Sequence, residues 1–150
     1  MLRFQFTSVN KFRVHLFWLV AVAASGAAWA GEPAGRTWHH DWNSARRASQ
    51  DEGRPILMFV TMKCCYHCEK MRHETYGNSL VVDDIHRDFV PVTIDSKSYP
   101  EIVDKLKVRL FPTTVIIGRD GTMIDSISGY VGPEQMRSWL KSSGTKIASR

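Results

Sequence analysis

The chain has little cysteine, and what it has sits together: Cys64, Cys65 and Cys68 lie within five positions of a 150-residue sequence. Thiols this close cannot tie distant parts of a chain to one another, which excludes a disulfide-stapled miniprotein. There is no second cysteine pair, so a four-ligand structural zinc site lacks its usual other half; a Cys65/Cys68/His73 trio has no clear fourth donor. Long hydrophobic runs are also missing. The one apolar stretch, Leu16 to Ala24, falls well short of the roughly 20 residues that a bilayer span needs, which excludes a polytopic membrane protein. Repeats and low-complexity tracts are absent, and 43% hydrophobic with 23% charged residues is ordinary globular material. The formal charge of +5 is misleading: Arg3, Lys11 and Arg13 stand in front without an acid, leaving 17 basic against 15 acidic residues. These are scattered, so no nucleic-acid partner is expected.

Residues 1–30 have three parts: the basic segment, the apolar run LFWLVAVAA, and a small-residue stretch ending in Ala28-Trp29-Ala30. This is the pattern of a secretory signal peptide with an A-x-A site after Ala30. The expected organisation is therefore a cleaved signal over 1–30, a short flexible lead over 31–36 and one domain over 37–150, located in the periplasm or secreted. No stable membrane span remains after cleavage. Such compartments are oxidising, so thiols do not stay reduced by default.

Trp38 to Gly53 reads as a helix with Gly53 as its stop, and Ile56 to Val60 as a buried strand. A helix follows from Cys65 to about Tyr76, broken at Gly77-Asn78, then a second from a Ser79 cap to about His86. Phe89 to Asp95 is a strand in which Pro91 argues against full pairing. Pro100 to Lys107 is a short helix, Thr113 to Ile117 a β-branched strand, and Arg119-Asp120-Gly121 a tight turn into the strand Thr122 to Ser128. Pro133 to Lys141 is the last helix. Strands joined through helices are expected to be parallel and the closing hairpin antiparallel, so the fold class is α/β: a mixed four-strand sheet flanked by helices, with an extra N-terminal helix.

The position of Cys65-Tyr66-His67-Cys68 says more than its spacing: it follows a buried strand and opens a helix. Backbone N–H groups are unpaired at a helix N-terminus and the dipole is positive there, so a thiolate is stabilised. Three-residue spacing puts both sulfurs within bridging reach, the arrangement for thiol–disulfide exchange, with Cys65 attacking and Cys68 resolving. Lys63 and His67 add nearby positive charge that favours the thiolate.

Ile56 to Cys68 (ILMFVTMKCCYHC), Val108 to Thr113 (VRLFPT) and Gly118 to Val131 (GRDGTMIDSISGYV), in this order and spacing, resemble the thioredoxin-like fold family in its exported single-domain form. The resemblance covers about Trp38 to Ser142. It implies a thiol–disulfide oxidoreductase acting on cysteine-containing proteins, with a redox-active Cys65–Cys68 disulfide and no organic cofactor. Apart from the resemblance, no metal is expected and a monomer is expected. The resemblance also implies that Pro112 is the family's cis-proline and that Phe111, Pro112 and Thr113 line a docking groove, with the backbone of Phe111 meeting an extended substrate. Three departures stand out. Cys64 replaces the tryptophan usual before the first cysteine, Phe59 stands where an acid is commonly buried, and the intervening dipeptide is Tyr-His. The histidine is similar to that of oxidising and isomerising members.

Cys64 is a possible third thiol: a redox player, a site of mixed disulfides, or a small apolar residue. Cys64 and Cys68 also form a C-x-x-x-C spacing similar to that of copper-handling relatives, and soft thiolates favour Cu(I). Those relatives use a histidine far downstream, whereas His86 is the last one here. A metal-handling chaperone and a non-enzymatic interaction domain are therefore the rival readings. Adjacent His39 and His40 point about 100 degrees apart on a helix, so Asp41 is read as a cap and Trp42 as a core anchor. His73 and Glu74 are read as a solvated face, Asp83-Asp84 as helix charge, Tyr130 as packing near the rim of the cysteine site, and Met58, Met62 and Met71 as core filler.

Overall fold

The computed structural model describes residues 37–148; the signal and lead expected over 1–36 lie outside the described residues. The elements run α1 (Trp42–Glu52), β1 (Ile56–Thr61), α2 (Tyr66–Glu74), α3 (Ser79–Asp88), β2 (Val90–Asp95), α4 (Pro100–Lys105), β3 (Thr113–Ile117), β4 (Met123–Ser128) and α5 (Pro133–Ala148). The expected α/β class and the four-strand mixed sheet are both present.

The sheet order is β2-β1-β3-β4. β1 pairs parallel with β2 and antiparallel with β3, and β3 pairs antiparallel with β4. The rule that helix-linked strands run parallel therefore holds for β1 and β2 but not for β2 and β3. The chain crosses from β2 past β1 and returns in the opposite direction. β1 is central and every one of its residues is buried, which is why ILMFVT is unbroken by polar alternation.

Side chains alternate across a strand, so β1 feeds two cores. Leu57 and Phe59 join Ile116 and the helix residues Cys68, Met71, Val81, Ile85, Met136 and Leu140 on one face. Ile56, Met58 and Val60 join Val90, Val92, Ile94, Val115 and Ile117 on the other, under Ala45 of α1 and Val103 of α4. Met58 and Met71 are fully buried as expected, but Met62 is 38% exposed, because it lies past the end of β1.

Several boundaries differ from the sequence reading, each for a local reason. α1 starts at Trp42, with Asp41 capping it by accepting the Ser44 amide at 2.7 Å. Trp38 is not helical. The segment before the cap runs beside β2, with His39 N–H donating to the Pro91 carbonyl at 2.9 Å and the Thr93 N–H donating to the His39 carbonyl at 2.8 Å. Pro91 consequently fits: its nitrogen faces away from β1, where no ladder bond is lost. Asn78, not Ser79, caps α3, accepting from the Leu80 and Val81 amides. α2 ends at Glu74 and β4 begins at Met123, while α4 stops at Lys105. α5 continues to Ala148 through Ser142-Ser143-Gly144 because Asp125 of β4 holds it, accepting from Ser143 Oγ at 2.8 Å and Lys146 Nζ at 2.7 Å.

Asp84 is more than helix charge. It is buried on α3 and accepts from Arg137 of α5 at 2.7 Å and Arg87 at 3.0 Å. The Arg137 hydrogen bond, opposed by burial and aided by Arg87, holds its carboxyl below the ordinary range. A depressed carboxylate contributes stability above the unfolded pKa of about 3.9 and loses it as pH falls through the folded value. Asp84→Asn is expected to cost about 2 kcal/mol at pH 7. The deficit should shrink as the pH of a denaturant titration is lowered below about 4, and a deficit constant from pH 7 to pH 3 would contradict this role.

Candidate active site

The site forms where β1 ends. Cys64 turns the chain with φ 58°, a left-handed conformation that costs a non-glycine residue about 1 kcal/mol or more. That turn delivers Cys65 to the N-cap of α2. The Cys65 sulfur accepts the Cys68 amide at 3.2 Å, and the Cys65 carbonyl accepts the Cys68 and Glu69 amides at 3.1 Å each. The sulfur thus sits on the positive end of the helix and fills a capping role usually held by Ser or Asp.

Cys65 and Cys68 are joined as a disulfide, with Cα atoms 5.2 Å apart. The two sulfurs are not equivalent: Cys65 is half-buried, whereas Cys68 is fully buried in the core with Met71 and Phe59. An incoming thiolate therefore reaches Cys65 first. Cys64 is free and exposed, so it is not apolar filler. Among the described residues, no group of three or more Cys, His, Asp or Glu side chains is arranged to hold a metal ion.

β-pairing brings the second half of the site alongside. Val60 of β1 pairs with Thr113 of β3, so residues 61–65 and 110–112 emerge at the same end of the sheet. The Phe111–Pro112 peptide is cis. Phe111 packs half-buried against both cores. Pro112 is buried, with its carbonyl held by the Gly129 amide at 2.7 Å. Thr113 is buried too; its hydroxyl donates to the Leu110 carbonyl at 2.7 Å and meets Ser128 Oγ at 3.0 Å. Thr113 therefore holds the loop from beneath. Lys63 and His67 are exposed beside the pair, and the His67 ring stands edge-on to Tyr66 at 5.4 Å.

The sequence reading missed the apolar rim. Tyr66 is 74%, Leu110 65% and Met62 38% exposed; Tyr66 lies between the two cysteines in sequence, and Met62 and Leu110 belong to the two segments that emerge at this end of the sheet. Large apolar side chains in a cysteine loop and directly before Phe-Pro were the available signal. The sequence reading identified Phe59 in the acid's place but missed what surrounds it. Phe59 is packed in edge-to-face contacts with Trp38 (6.5 Å) and Tyr76 (4.8 Å), and the Arg72 guanidinium lies 5.8 Å from its ring centre. The Tyr76 hydroxyl meets Thr114 Oγ1 at 2.5 Å, and burial pushes the phenol well above its ordinary pKa. A cavity of about 310 Å³ opens on this flank, lined by Trp38, His40, Phe59, Arg72, Tyr76 and Thr93; neither cysteine of the pair nor residues 110–112 line it. His73 is exposed as expected, but Glu74 is engaged: the Tyr130 hydroxyl donates to it at 2.6 Å, and its carboxylate pushes the phenol upward.

In the reduced protein, alkylation of Cys65 should titrate with a midpoint below the free-thiol value of about 8.5. A midpoint above that value would remove the helix terminus from the chemistry.

Residues 42–144 match a family described as a thioredoxin-like domain. A search of curated protein sequences finds no match. Similar solved structures include a thioredoxin from Thermus thermophilus, 16% identical with TM-score 0.67, covering 74% of this chain and 89% of that one. A DsbH oxidoreductase is 21% identical with TM-score 0.64, covering 71% and 83%. The C-terminal domain of Neisseria meningitidis DsbD in its oxidised form is 20% identical with TM-score 0.54, covering 71% and 99%. At these identities the likeness is one of fold.

Proposed function

This chain belongs to the thioredoxin-like domain family, and from that premise we propose that its thiol–disulfide oxidoreductase activity is exercised outside the cytoplasm on cysteine-containing protein segments. The observation that carries the reading is the inequality of the two sulfurs: Cys65 is reachable and caps α2, while Cys68 is sealed in the core. Similarity in fold to a DsbH oxidoreductase and to the C-terminal domain of DsbD supports it.

Cys65 is the nucleophile and Cys68 the resolving thiol. In the oxidising direction a substrate thiolate attacks Cys65 Sγ, the Cys65–Cys68 bond breaks, and Cys68 leaves as a thiolate that takes up a proton. A second substrate thiolate attacks the substrate sulfur of the mixed disulfide and expels Cys65, whose thiolate is received by the helix terminus. The substrate loses two electrons and the cysteine pair gains them. The reducing direction is the reverse. Stabilising the leaving thiolate favours the reduced pair, hence a more oxidising couple. Lys63 adds positive charge to the same end, where the exposed His67 also stands. Phe111 and Pro112, held by Thr113, form the docking edge, and Tyr66, Leu110 and Met62 give it an apolar rim suited to an extended or unfolded segment.

No cofactor is needed, because the cysteines carry the electrons. The protein works as a monomer. Export rests on residues 1–30, removed after Ala30, with 31–36 as a lead to the domain at 37–150. Among the described residues, no helix is long and apolar enough to cross a membrane. The intact mass of the exported protein should begin at Gly31, and a mass that retains the first 30 residues would mean an anchored form.

Equilibration with a glutathione redox buffer, followed by thiol counting, tests the function. A couple near about −120 to −180 mV means disulfide donation or isomerisation, and one near about −270 mV a reductase fed by another protein. Cys68→Ala should trap substrates on Cys65 as mixed disulfides. The absence of any reversible Cys65–Cys68 couple would overturn the reading in favour of metal binding by Cys64 and its neighbours.

A further inference from the structure

The three residues that follow β4 face two ways. On one side the Gly129 amide donates to the Pro112 carbonyl at 2.7 Å, made possible by a left-handed Gly129 with φ 85°. On the other side the chain is fastened to the end of α2. The Tyr130 hydroxyl donates to Glu74 Oε2 at 2.6 Å, Lys70 Nζ lies 4.6 Å from the Tyr130 ring centre, and the same ammonium is 4.0 Å from the Glu74 carboxylate. The Val131 carbonyl accepts from the buried Thr75 hydroxyl at 2.5 Å. Residues 129–131 are thus a bridge between the Leu110–Pro112 loop and the helix whose other end holds the disulfide.

We propose that Tyr130 is a positioning residue: its contacts with Glu74 and Lys70 set the separation between the Leu110–Pro112 loop and Cys65, and so govern how a protein substrate docks. This deepens the oxidoreductase reading and rests on it. α2 behaves as a rigid rod, so fixing its C-terminal turn against the bridge fixes its N-cap relative to the loop. Cys65, Phe111 and Tyr130 all pack against the margin of the same core, which couples their positions further. A hydrogen bond to a carboxylate and a cation over a ring are stronger than neutral contacts, and both converge on one side chain. The Thr75–Val131 bond is buried and belongs to the fold, whereas the Tyr130–Glu74 bond is at the surface. The latter can be removed without opening the core.

The consequence is selective. A peptide that spans the loop and the sulfur needs both at the right distance. A small disulfide that touches only Cys65 does not. The equilibrium of the cysteine pair depends on the N-terminus of α2, whereas the hydrogen bond and cation contact of Tyr130 are made further along the helix, at Glu74 and Lys70.

The test compares the full domain with Tyr130→Phe, which keeps the ring and loses the hydroxyl, and with Glu74→Gln, which keeps an acceptor and loses the charge. The substrates are a disulfide-bridged peptide and a small aromatic disulfide. For Tyr130→Phe, KM for the peptide should rise about three- to tenfold with kcat nearly unchanged, as expected for loss of a binding contact. The rate with the small disulfide and the equilibrium with glutathione should not move. Glu74→Gln should fall between, and the double variant should be little worse than Tyr130→Phe, because both act on the Tyr130–Glu74 hydrogen bond and Glu74→Gln adds only the loss of the exposed Lys70–Glu74 pair. Unchanged peptide KM in both variants would overturn the proposal. So would an equal slowing of both substrates, or a shifted glutathione equilibrium, which would place the effect at the sulfurs. A wild-type protein without a reversible couple would bring down the oxidoreductase reading itself. A wild type that exchanges with the peptide, beside variants that match it, would remove only the positioning role.

Discussion

The structure turns on one interaction, the Cys65 sulfur capping α2. A helix begins with amide groups that nothing inside the helix can satisfy, and here the atom that satisfies one of them is also one of the two sulfurs of the disulfide. The same field that makes the cap favourable makes the thiolate favourable. In the proposed mechanism the activation of Cys65 is therefore a property of the backbone, and it requires only that the strand before the helix stop at the right residue.

The fold supplies that stop. β1 lies in the middle of the sheet and is buried on both faces, so its register is tied to two cores at once. A slip by one residue would exchange Leu57 and Phe59 for Met58 and Val60 and move the cap off Cys65. The turn at Cys64 carries the chain from sheet to helix, and the pairing of Val60 with Thr113 brings the cis-proline loop to the same edge. Neither half of the site is adjustable without disturbing a strand at the centre of the molecule.

The surroundings of the buried sulfur are apolar in an unusual way. Where an acid is common in the family, Phe59 joins Trp38 and Tyr76 in a set of edge-to-face contacts, with Arg72 across the ring. Trp38 reaches this set because the chain before α1 lies along β2 and not in the helix. The aromatic set shares the core with Cys68 and offers it no carboxylate.

Much of this was legible in the sequence because it depends on local rules. The period of the apolar residues, the Asp41 cap, the Gly53 stop, the Arg119-Asp120-Gly121 turn and the placement of Cys65 and Cys68 between a buried strand and a helix all follow from propensity and spacing. What escaped depends on partners far along the chain. The continuation of α5 past Gly144 needs Asp125 of β4, the engagement of Asp84 needs Arg137, the antiparallel return of β3 needs β1 between it and β2, and the role of Trp38 needs Phe59 and Tyr76. The sequence by itself determined the chemistry, because two thiols and a helix terminus are set by residues side by side. Which sulfur is open, what rims it and what holds the opposing loop were decided only by tertiary packing, because burial and long-range hydrogen bonds do not exist until the strands have paired.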